Sequence, residues 1–148
     1  LPPAHDATAR LSTATLLDIA DSWAADAAAD HPPLVDAGRG YELLIRTPSF
    51  EAWLIDWARS GALDLHDHGG SVGAVRVVAG TLVEAYTDLD QRRPLRSQRL
   101  SAGEGLRISA RRVHEIWNPG PAPARSIHVY SPPLGTMTYY DPDRFLVT

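Results

Sequence analysis

Cysteine is absent from the 148 residues of this chain. That excludes disulfides, thiolate metal ligands and a cysteine nucleophile, so any bound metal must be held by nitrogen and oxygen. Long apolar runs are missing too. None approaches the roughly 18 residues of a membrane-spanning helix, and no membrane partner is expected. A basic stripe is likewise lacking: with a formal net charge of −4 and a pI near 5.8, no nucleic-acid partner is expected. The chain opens LPPAHDATAR, with neither a basic start nor an apolar signal core, and reads as a trimmed cytoplasmic protein. No low-complexity linker or long repeat divides it. A 16.1 kDa chain with 44% hydrophobic and 22% charged residues is expected to form one domain over residues 1–148 around its own core.

Two zones are present. In STATLLDIADSWAADAAAD, apolar residues recur at Leu16, Ile19/Ala20, Trp23 and Ala27, close to the 3.6-residue period of an amphipathic helix. A helix over about 13–29 follows, capped by Ser12 or Thr13 and closed by His31-Pro32-Pro33, within a lead-in of about 1–35. From Tyr41 to about residue 140 the pattern changes to short β-branched, aromatic and Leu runs broken by Gly, Pro and Asp. YELLIR-TPS-FEAWLIDW reads as a hairpin. GAVRVVAGTLVEAYTD reads as two strands meeting at Ala79-Gly80, QRRPLRSQRL as an exposed connection, and GLRISARRVHEIWN as strand, turn and strand. PARSIHVYSPP is a late strand, and the tail LGTMTYYDPDRFLVT is a candidate edge strand. The expected class is mainly β: an antiparallel barrel or jelly roll with one N-terminal helix.

The histidines carry the chemistry. If LDLHDHG is extended, His66 and His68 project to one face and Asp67 to the other. The pair is then either a solvated strand end or half of a metal site. In ARSIHVYSPP, Ser126, His128 and Tyr130 share one strand face and Ile127 and Val129 the other. A Ser–His–Tyr hydrogen-bonded chain would fix the imidazole tautomer and orient the phenol; the alternative is the outer face of an edge strand. His5 and His31 read as solvated. Trp23, Trp53, Trp57 and Trp117 read as core or pocket wall. Neither Glu84 nor Glu115 is needed as a ligand.

Gly61, His66, His68 and Gly80 stand at the spacing of the first cupin motif. Gly103, His114 and Asn118 resemble the second, with Ser109 and Arg111 in place of its Pro-x-Gly turn. Cupins usually add a glutamate ligand shortly after His-x-His, and here Gly73 occupies that position. Together, HDHGGSVGAV, VHEIWN and SIHVYSPP resemble the cysteine dioxygenase family of thiol dioxygenases, small single-domain cupins, and HDHGGS and SPPL with MT soon after look closer to its bacterial members. The resemblance implies an Fe(II) site of three neutral ligands, His66, His68 and His114. It implies Tyr130 as the active-site tyrosine, with Ser126 and His128 as its relay. In animal members a cysteine bonds covalently to that tyrosine; Gly73 fills its place, which implies an unmodified phenol. Counting back from FEAWLIDW puts the family's substrate-carboxylate arginine at Leu43, with Arg39 and Arg46 as neighbours. Strand parity groups Arg39 with Tyr41 and Leu43 and sets Arg46 on the opposite face, so Arg39 is preferred. Arg144 is a further candidate.

The activity so implied is oxidation of a small thiol, L-cysteine first, to its sulfinic acid by O2, in a monomer. A 3-mercaptopropionate or other small-thiol dioxygenase is the nearest alternative. Different cupin chemistry on the same metal, and a non-catalytic cupin that senses a small molecule, are the readings from other classes.

Overall fold

The structure is a computed structural model describing residues 10–27, 32–90 and 93–145, with the side chain of Arg144 excepted. His5, His31 and the Arg144 side chain therefore lie outside the described residues. Helix α1 spans Thr13–Ala24, and Ser12 caps it by accepting the Thr15 amide at 3.1 Å. The helix stops short of the expected residue 29. Beyond Trp23 the apolar positions are all alanine and offer little area to bury, and the Ala27 carbonyl is taken by the Arg125 guanidinium. Leu16 and Ala20 are fully buried. Full burial of a leucine is worth about 1.5–3 kcal/mol, so this face fastens the helix to the remainder of the chain.

Nine strands follow: β1 Arg39–Arg46, β2 Glu51–Trp57, β3 Ala62–His66, β4 Val72–Ala79, β5 Thr81–Asp88, β6 Arg96–Ser101, β7 Gly105–Ile108, β8 Arg112–Trp117 and β9 Ala124–Ser131. They form two antiparallel sheets, β1-β2-β9-β4-β7 and β3-β8-β5-β6. The expected β1–β2 hairpin is present. The two strands meeting at Ala79-Gly80 are not a hairpin, because β4 pairs with β7 and β9 while β5 pairs with β6 and β8. Gly80 has a φ of +73°, and a Cβ there would stand 2.6 Å from the Pro123 carbonyl oxygen. The chain changes sheet at a point only glycine accommodates. β7 and β8 divide between the sheets in the same way, as in a jelly roll.

Two other expectations need correction. QRRPLRSQRL is not simply a connection: β6 runs through it as the edge of the smaller sheet, anchored by buried Leu100. The tail forms no edge strand among the described residues. It makes an isolated bridge from Tyr139 to His66 and a 3-10 helix over Pro142–Phe145.

The core lies between the sheets, where Ile55, Trp57, Val75, Val77, Leu82, Leu106, Ile108, Ile116 and Tyr130 pack together. Ile127 and Val129 face the other way, onto Leu16 and Ala20 of α1. On the far side, Phe145 covers Leu65 and Val113. Among the described residues no helix is long and apolar enough to cross a membrane.

Candidate metal centre

His66 ends β3, His68 sits in the loop that follows and His114 lies on β8 directly opposite His66. The strand stops before His68, so regular alternation does not aim the second ring. The loop does so, held by Asp67, whose Oδ1 accepts the Gly69 and Thr138 amides and whose Oδ2 accepts the Tyr140 hydroxyl. All three imidazoles are fully buried. Their ring centroids are 4.7–4.8 Å apart, and one nitrogen from each lies within 4.8 Å of the others.

Acceptors fix two of the three tautomers. His66 Nδ1 donates to the Asp64 carbonyl at 2.7 Å, and His114 Nδ1 donates to Glu84 Oε2 at 2.7 Å. Neither acceptor has a proton to give, so in both rings Nε2 is left as a bare lone pair. His66 Nε2 has no hydrogen-bond partner, and His114 Nε2 lies 3.1 Å from His68 Nε2. Buried imidazole lone pairs crowded together are costly unless something electron-poor sits among them. Burial pushes the pKa of His66 below its ordinary value, and those of His68 and His114 well below. In His68 and His114 the neighbouring imidazoles add to that effect. Three neutral nitrogen donors, two of them with the tautomer fixed from behind, fit a first-row divalent metal.

Across the core, β9 supplies the second half of the site. Trp57 Nε1 donates to Ser126 Oγ at 2.9 Å. Ser126 Oγ lies 2.8 Å from His128 Nε2, and His128 Nδ1 lies 3.1 Å from the Tyr130 hydroxyl. The indole can only donate, so the serine oxygen accepts from it. A His128 protonated on Nδ1 would give that proton to the Tyr130 oxygen and leave the phenol proton free for the site. Burial lowers the His128 pKa to about 3 and raises that of Tyr130, so both stay neutral. The Tyr130 ring stacks on His68 at 5.4 Å, and this places relay and histidines together. A Cβ on Gly73 would stand 2.9 Å from Tyr130 Cδ1, so the ring occupies space that only glycine leaves open.

The arginines depart from the parity argument. β1 carries a bulge between Leu43 and Ile45, so Arg39, Tyr41, Leu43 and Arg46 pair with Trp57, Ile55, Trp53 and Glu51. Directly paired residues share a face, so Arg46 joins Arg39 on the inner face. The two are not equivalent. Arg46 is engaged by Glu51, with Nε and Nη2 2.8 and 2.7 Å from Oε2. Arg39 makes no ion pair among the described residues and lies 5.8 Å over the Tyr41 ring. Its positive charge acts against protonation of His66 and His128 and favours ionisation of Tyr130.

Three participants escape the motif reading. Trp57 starts the relay instead of merely walling it. Glu51 holds Arg46. Glu84 lies outside the histidine cluster, yet it is the partner of His114. A carboxylate at the centre of the apolar run TLVEAY was the available signal, because a buried charge needs partners. Asn118 serves the scaffold: its Nδ2 donates to the Trp57 and Ala122 carbonyls and its Oδ1 accepts the Gly120 amide.

Among solved structures the chain is similar to oxalate oxidase (TM-score 0.63, 18% identity), covering 75% of this chain and 59% of that one. It therefore spans about three fifths of that relative's length. It is also similar to an uncharacterised conserved protein with a double-stranded β-helix domain from Klebsiella pneumoniae (TM-score 0.60, 15% identity; 80% and 94% covered). A cupin domain from Schizosaccharomyces pombe matches at a TM-score of 0.56 and 12% identity, with 63% and 64% covered. These likenesses establish a cupin fold. The family model for cysteine dioxygenase type I matches residues 18–143, a span that takes in the three histidines, the relay strand and the β1 arginines. By fold, by site and by that match, the chain belongs to the cysteine dioxygenase type I family.

Proposed function

We propose that the chain is an iron-dependent thiol dioxygenase that converts a small thiol, L-cysteine first, to its sulfinic acid with O2. One observation carries this: three neutral ring nitrogens converge in the buried core, with the Tyr130 ring stacked on one of their rings. His66, His68 and His114 would hold Fe(II) through Nε2. A metal held there would supply Lewis acidity that favours the thiolate form of a substrate thiol and a common site for thiol and dioxygen. The reaction RSH + O2 → RSO2H balances without another reductant and ends on the sulfinic rung of the sulfur oxidation ladder.

The chain's own groups supply position and protons. Tyr130, set by Ser126 and His128, donates a hydrogen bond to anionic oxygen in the site. Trp53, Leu134 and Met137 pack against the core cluster that contains Tyr130. Arg39 binds the substrate carboxylate, because its charge is available on the inner face while Arg46 is engaged by buried Glu51. A carboxylate-bearing thiol such as 3-mercaptopropionate would use the same arginine and is the second reading.

The test is oxygen uptake by iron-loaded protein with L-cysteine, 3-mercaptopropionate and cysteamine, with the sulfinate quantified. One sulfinate per O2, fastest for a carboxylate-bearing thiol, is expected. Iron-loaded protein that oxidises none of the three would refute the proposal. His114→Ala should lose iron and turnover together.

A further inference from the structure

We propose that Glu84 is a positioning residue that delivers negative charge to the metal centre through His114. This rests on the metal-binding reading above. Glu84 is fully buried at the middle of β5 and yet is no member of the histidine cluster. Every contact of its carboxylate points to a fixed task. Oε2 accepts His114 Nδ1 at 2.7 Å and Arg112 Nε at 3.1 Å. Oε1 accepts Arg112 Nη2 at 2.7 Å and Gln98 Nε2 at 2.8 Å. Arg112 is held in turn on the Tyr86 ring, its guanidinium carbon 3.9 Å from the centroid. The carboxylate is clamped at both oxygens and cannot swing round to become a ligand itself.

Two consequences follow from the chemistry of the acceptor. A carboxylate takes the Nδ1 proton and so commits the His114 lone pair to Nε2, the atom that faces His68. A charge-assisted hydrogen bond at Nδ1 also makes the ring a stronger donor at Nε2 than a neutral acceptor would. His66 has only the Asp64 carbonyl in that role. The three histidines are therefore unequal: His114 is the electron-rich ligand. Where Gly73 leaves no carboxylate among the ligands, Glu84 places one a ring's width away. Arg112 and Gln98 make its burial tolerable.

Co(II) titration of metal-free protein, followed by its visible absorption, tests this. Glu84→Gln keeps an acceptor oxygen and removes the charge; its affinity for Co(II) should fall about 10–100-fold, the usual loss when a partner behind a ligand is changed. Equal affinity in wild type and E84Q would overturn the role of Glu84 and leave the metal reading standing. A wild-type chain that takes up no Co(II) would overturn the metal reading itself. If E84Q does not fold, nitrogen-15 correlation spectra of the wild-type histidines decide. His114 should carry its proton on Nδ1 with a strongly deshielded signal, and an Nε2-protonated His114 would sink the proposal.

Discussion

Tyr130 touches His68 across its ring, His128 at its hydroxyl and the bare backbone of Gly73 along its edge. Each contact decides something different: the stack sets distance from the histidines, the hydrogen bond holds the hydroxyl in place, and the glycine sets whether the ring fits at all. A methyl group at position 73 would lie 2.9 Å from Cδ1 and 3.1 Å from Cε1 of a buried ring. Gly73→Ala should therefore cost about 1–3 kcal/mol by overpacking, read as a lower urea midpoint. It should also cut turnover more than it cuts iron content, because the displaced group is the phenol and not a ligand. Unchanged turnover in G73A would show that the ring's position does not matter. The sequence made this residue conspicuous as a missing carboxylate and, through the family resemblance, as the place of a cysteine beside Tyr130. That it makes room for an aromatic edge depends on β4 pairing with β9, Gly73 opposite Tyr130, which no local pattern records.

Strands differ in how much of themselves they disclose. β9 discloses nearly everything, since Ser, His and Tyr alternate with Ile and Val, and the structure turns the first set to the site and the second to the helix. β1 misleads. Its alternation is broken at Leu44 by a bulge that arises from pairing with β2, so a count along the strand puts Arg46 on the wrong face. At Gly80 the turn is legible and its meaning is not, because a hairpin and a crossing between sheets ask for the same glycine. β5 hides its point in a single residue, Glu84, whose partners come from β6 and β8. The β1 bulge also yields a test. Arg46→Ala strips a partner from Glu51, which is 1% exposed, and should cost about 1–3 kcal/mol of stability. Among the described residues Arg39 has no such partner to orphan, and Arg39→Ala should leave the urea midpoint nearly unchanged. It should raise KM for carboxylate-bearing thiols and spare thiols that lack one. Equal KM effects from both variants would refute the division of labour.

On the scale of the whole molecule, burying four imidazoles makes folding sensitive to acid. The rings of His66, His68, His114 and His128 all have their pKa lowered in the folded chain, chiefly by burial. For His128 the shift runs from 6.5 to about 3. Below pH 6.5 the unfolded chain takes up protons that the folded chain refuses, so stability is fully present above that pH and declines as pH falls toward 3. A unit below 6.5, His128 alone should cost about 1.4 kcal/mol. Urea midpoints of the metal-free protein at pH 7.5, 6.5 and 5.5 should fall in that order, and a flat series would contradict the burial. The same arrangement carries a second consequence. His66 and His114 hang from the four-stranded sheet, His68 from the loop that leaves it, and the phenol from the five-stranded sheet. Val75, opposite His128, and Ile116, two residues beyond His114, fill the layer between. Tyr130 spans the gap by stacking on His68, so these side chains act as a shim around that stack: a methylene gained or lost there shifts one sheet against the other and rescales the site's geometry without altering one polar atom.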